Sequence, residues 1–103
     1  MFKLFRVRGR SMLPTLGDGD FVIGRRIGSR AVRRLDTRAI VCAQHPHFGP
    51  IIKRIAGIDG DTVRLDSDGV TGSESSSFGD VPIDCITHRA RLVIRARGGL
   101  RRV

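Results

Sequence analysis

The chain contains no tryptophan or tyrosine, only two lysines and two cysteines, and no apolar run of membrane-spanning length. Each shortage excludes something. Without Trp or Tyr, a core has to come from Ile, Val, Leu, Ala and the five Phe. The lack of about 18 consecutive apolar residues argues against a transmembrane helix. The start, MFKLFRVRGR, has no apolar centre of the signal-peptide kind, so the expected location is the cytoplasm. Cys42 and Cys85 fit buried, reduced thiols in that compartment rather than a disulfide. CxxC spacing is missing, so no metal and no cofactor is expected.

What is present is positive charge, turns and short apolar runs. At 103 residues the expectation is one domain over 1–103, with 97–103 as a frayed tail. The formal charge is +9, unevenly spread: seven of ten acids lie between Asp59 and Asp84, and six Arg with no acid follow Cys85. Such a balance invites nucleic-acid binding. The aromatic residues that stack single-stranded bases are scarce, so nucleic acid is a possible partner but not the favoured one.

Thirteen glycines and four prolines cut the chain into short segments, which predicts a mainly β fold, a small coiled barrel or sandwich. Strands are expected at 1–8, 21–27, 39–43, 50–58 and 62–65, with VPIDCI (81–86) and ARLVIRAR (90–97) supplying the last ones. A basic loop spans 28–38, with a helix over 29–40 as the weaker reading. Residues 44–50 read as turn, and TGSESSSFGD (71–80) reads as a small polar loop.

Two local features carry chemistry. In VRGRSMLPTLGDGD (7–20), Pro14 disfavours a helix through Ser11 and places its hydroxyl on an ordered corner, with Gly9 allowing another backbone close by. A serine nucleophile needs such exposure, a nearby base and N–H donors for the oxyanion. Candidate bases are His45, His47, His88 and Lys53. The histidines sit in turns or after strands with nothing to orient them, and the His45–Pro46–His47 pair is a weak metal site.

Lys53 stands apart. Of 19 basic residues 17 are Arg, so a lysine within a strand suggests a task that requires losing its proton. Period-two alternation puts Lys53 on one face between Ile51 and Ile55, where desolvation lowers its pKa. The alternative is a lysine snorkelling at a strand end or paired with Asp61.

RGRSMLPTLGDGDFV (8–22) is similar to the nucleophile box of the signal peptidase I family, and IIKRIAGIDGDTV (51–63) resembles its lysine box. FGDVP (78–82) resembles the family's closing Phe-Gly-x-Val-Pro. The three segments fall in the family's order and cover about a third of the chain. The resemblance implies a catalytic core of the signal peptidase/LexA type, with Ser11 as nucleophile and Lys53 as general base. It also implies that the Ser11 N–H serves the oxyanion hole and that Met12 packs beside the site. Asp20 and Asp61 would fix turns and Gly60 would permit one.

Three departures accompany it. Gly9 stands where the family can carry a hydroxyl for the oxyanion. Asp36–Val41 is a degraded Gly-Asp-Ile-Val box. The Gly-Asp-Asn and Asp-Ser-Arg motifs are replaced by a serine-rich stretch, in which Ser73 and Ser75 are the candidates for orienting Lys53.

Short family members without an anchor resemble the maturation protease of nickel-type superoxide dismutase, which removes an N-terminal extension. The expected partner is thus a protein or peptide with an N-terminal pro-segment, cut in trans. Self-cleavage of the LexA kind would need a longer arm ahead of Ser11. The competing readings are a basic β-barrel that binds nucleic acid, and an inactive peptidase-like binding module.

Overall fold

A computed structural model describes residues 1–69 and 77–103. The short β-rich runs form eight strands among the described residues: β1 Phe2–Arg6, β2 Phe21–Arg26, β3 Ile40–His45, β4 Gly49–Asp59, β5 Thr62–Asp66, β6 Ser77–Pro82, β7 Ile86–Ile94 and β8 Leu100–Arg102. They make one antiparallel sheet in the order β1-β2-β7-β3-β4-β5-β6, curled into a half-barrel. The mainly β expectation holds.

Alternation along β3 explains how one sheet makes two cores. Val41 and Ala43 face a cluster with Ile55, Val63, Leu65 and Val81. Ile40 and Cys42 face the opposite side, with Val7, Met12, Leu16 and Val93. The corner after β1 is therefore anchored on one face of the sheet, while the β4–β5 hairpin closes over the other. This hairpin turns at Gly60, whose φ of +60° suits a tight two-residue turn that a side chain would disfavour.

Several details differ from the sequence expectation. No phenylalanine is fully buried: Phe2 and Phe48 are exposed and Phe5, Phe21 and Phe78 half-buried, so the interior is aliphatic. Residues 97–103 do not simply fray, because Leu100–Arg102 pair with β7 as β8. Within the basic loop, Ser29–Val32 form one turn of helix, α1, which buries Val32. The segment 77–80, read as loop, begins β6; the rest of 71–80 lies outside the described residues. Cys42 is buried, Cys85 is half-exposed, and both are unpaired.

β4 carries one irregularity. Pairing with β5 runs Asp59↔Thr62, Ile58↔Val63, Gly57↔Arg64, then jumps to Ile55↔Leu65, leaving Ala56 as an extra residue. Such a bulge shifts the register of everything beyond it by one. Beyond it, β5 meets β4 only as far as Arg54, so among the described residues Gly49–Lys53 pair with β3 alone.

Candidate functional site

Ser11 stands on a corner that the sequence fixes at several points. Val7 N–H donates to the Asp20 carbonyl at 2.8 Å and Gly19 N–H to the Val7 carbonyl at 3.0 Å, so the segment closes on itself. Asp20 secures it: its carboxylate accepts from Gly17 N at 2.9 Å and Ala96 N at 2.8 Å, with Arg95 at 3.7 Å. Burial pushes the Asp20 carboxyl up, but these N–H donors and Arg95 outweigh it and hold the pKa below the usual range.

Gly9 has a φ of +80° and donates its N–H to the Asp18 carboxylate at 2.8 Å. A Cβ there would meet nothing within 4 Å. Its role is thus the left-handed turn, not the close backbone approach expected of it. Within the corner the Leu13–Pro14 peptide is cis, and Leu16 N–H donates to the Met12 carbonyl at 2.8 Å. Met12 is buried beneath, while Ser11 is exposed above it.

β4 brings Lys53 to this corner. Its Nζ lies 2.8 Å from Ser11 Oγ and 2.9 Å from Ser67 Oγ. The ring of Phe78, from β6, lies 4.7 Å from the same nitrogen. The lysine is 7 % exposed, and burial lowers its pKa from the ordinary lysine value. The aromatic face favours the ammonium and opposes that shift, but desolvation prevails. Asp61, the alternative partner, is instead paired with Arg33 on the surface.

A neutral amine in this position has one lone pair for the Ser11 hydroxyl proton and N–H groups that hold Ser67. The pair opens into a cleft of about 390 Å³, lined by Arg6 and Arg8 on one side and by Pro50, Ile51 and Ile52 on the other.

Ser67 was not anticipated. Ser73 and Ser75, the expected orienting residues, lie outside the described residues. Ser67 directly follows β5, and the Ala56 bulge brings it across from Lys53. A second unanticipated cluster holds that loop in place. Arg54 donates to both oxygens of Asp68, Nε at 2.8 Å and Nη2 at 2.6 Å, and Thr15 Oγ1 donates to the same carboxylate at 2.8 Å. Asp68 thereby ties the Ser11 corner, through Thr15, to the lysine strand, through Arg54. Burial raises the Asp68 pKa, but the hydrogen bonds and the Arg54 and Arg38 charges lower it further than burial lifts it.

The histidines do not reach Ser11, and none lines its cleft. His45 Nδ1 accepts from His47 N at 3.0 Å and Phe48 N at 3.2 Å, capping the β3–β4 turn. His88 is buried, with Nδ1 2.8 Å from Thr87 Oγ1 and its ring against Phe5. Among the described residues, no group of three or more His, Cys, Asp or Glu is placed to hold a metal, and no helix is long and apolar enough to cross a membrane.

Residues 1–93 match the family model described as signal peptidase, peptidase S26. Neither the comparison with curated proteins nor that with solved structures returns a match.

Proposed function

Because the chain belongs to the signal peptidase family, peptidase S26, we propose that Ser11 is the nucleophile and Lys53 the general base of its peptide-bond hydrolysis. The observation that carries this reading is the 2.8 Å contact between Ser11 Oγ and the buried Lys53 Nζ on strand β4. Neutral Lys53 takes the hydroxyl proton as Oγ attacks the scissile carbonyl. The resulting ammonium gives that proton to the departing amine, leaving an acyl-enzyme on Ser11. A water deprotonated by Lys53 then releases the acid and restores the serine. The backbone N–H of Ser11 serves the oxyanion; Gly9 adds no side-chain donor.

The substrate segment lies extended in the cleft between the edge of β1 and the edge of Gly49–Lys53, both unpaired among the described residues. Both edges offer main-chain hydrogen-bonding groups that suit strand addition. The bond cut belongs to an N-terminal leader or pro-segment of a separate protein, with the precursor of nickel-type superoxide dismutase as the specific candidate. The spacing from His45-Pro46 through a short turn to the lysine strand suits that branch and supports this choice.

Ser11→Ala and Lys53→Ala should each lower cleavage of that precursor at least about 100-fold. Lys53→Arg should be equally inactive, since a guanidinium does not give up its proton. Mass spectrometry of the precursor's N-terminus reads the cut. An active Lys53→Arg enzyme would overturn the mechanism, and an uncut precursor with rapid acylation of Ser11 by a serine-directed probe would overturn only the substrate.

A further inference from the structure

A cavity of about 640 Å³ lies away from Ser11 and is lined by six arginines: Arg25, Arg26, Arg30, Arg34, Arg89 and Arg91. No Asp or Glu lines it among the described residues, and none of the six has a carboxylate partner among them. Arg25 and Arg89 stand directly opposite each other on β2 and β7, an arrangement in which like charges repel. A ligand that neutralises them removes that repulsion.

The cavity is also connected. Arg26 lines a second cleft that holds Lys3, Arg6 and Arg8, and Arg6 and Arg8 line the cleft at Ser11. No carboxylate lines any of the three among the described residues. A basic path therefore runs from the serine, beneath β1, past the end of β2, to the arginine cavity.

We propose that this path is a docking track for an acidic segment of the polypeptide that the enzyme cleaves. The proposal rests on the peptidase reading above and adds the chemistry of the substrate's flanking region. The shape of the path favours a polypeptide over other polyanions. A nucleic-acid duplex would have to be bent to follow the path, at an elastic cost that a peptide does not incur. A single strand would bind by base stacking, and the arginine cavity has no aromatic lining. An extended peptide can follow the turn, and its carboxylates match the guanidinium fork, as Asp68 does with Arg54.

The test uses the full chain and a triple variant, Arg25→Gln with Arg89→Gln and Arg91→Gln. Fluorescence anisotropy measures binding of a labelled Glu-rich peptide, duplex DNA and phosphatidylglycerol vesicles at several salt concentrations. The Glu-rich peptide should bind with affinity that falls as salt rises, and the triple variant should weaken it about tenfold. The corresponding triple Lys variant should recover most of that loss. For peptides with an acidic flank, KM should rise in the Gln variant while kcat and Ser11 acylation stay unchanged.

Peptide binding indifferent to the three arginines would overturn the proposal, as would tighter binding of DNA or vesicles than of the peptide at equal salt. Intact acylation of Ser11 in that case leaves the peptidase reading standing. Failure of Ser11 to acylate in the wild type removes that reading, and the substrate track with it.

Discussion

Lys53 is an uncomfortable residue for the fold and, as the proposed general base, a useful one for chemistry, for the same reason. Its pKa is lowered by burial, so below that depressed value the protein holds a charge in a place that disfavours it. The unfolded chain, with an ordinary lysine pKa near 10.4, binds the proton more readily. Stability should therefore rise with pH between the depressed value and about 10.4. Lys53→Met should stabilise the protein by about 1 kcal/mol at neutral pH, a gain that shrinks as pH approaches 10 in thermal unfolding series. Activity should rise with pH across the same depressed pKa. Ser67 bears on this directly, because its oxygen accepts from the amine and favours the charged form. Ser67→Ala should shift the rise in kcat to lower pH and reduce its plateau. An unchanged pH–rate profile would remove Ser67 from the site.

At the scale of elements, the corner, the lysine strand and the loop after β5 meet through one carboxylate. Asp68→Ala leaves Arg54 half-buried without its partner and Thr15 without its acceptor, and should cost about 2–3 kcal/mol in chemical denaturation. Because the Asp68 pKa is depressed, this contribution is present above about pH 4 and is lost as pH falls through the folded value. The difference between wild type and Asp68→Asn should shrink in acid; a constant difference would place the stabilisation elsewhere. The strands, the corner and the Ser11–Lys53 pairing were legible because they depend on alternation, on Pro and Gly, and on a lysine between isoleucines. Ser67 was not, since a bulge leaves no mark in a hydrophobic pattern. The aliphatic interior was missed for another reason: phenylalanine counts as core by type, yet Phe78 is held at the lysine and Phe48 is exposed at a hairpin tip.

For the molecule as a whole, charge is the dominant fact. The formal charge is +9, and among the described residues only Arg33, Arg54 and Arg95 pair with carboxylates. Repulsion among the remaining arginines acts over about 10 Å at 0.1 M salt and fades as salt is added. Raising sodium chloride from low to moderate concentration should increase the Tm by a few degrees, because screened repulsions outnumber weakened ion pairs. A Tm that falls with salt would show that the three pairs outweigh the rest.

The extra residue in β4 has a consequence beyond geometry. Were the ladder regular from Asp59↔Thr62 onward, the position facing Lys53 would belong to Asp68, not Ser67. A carboxylate there would keep the amine in its ammonium state, and Arg54 would lose its partner. Under the proposed mechanism, the same amino acids in an ideal hairpin would give a stable, well-paired sheet with an inert serine. On the proposed mechanism, one residue out of step with its neighbours separates a working Ser–Lys pair from a merely foldable sequence.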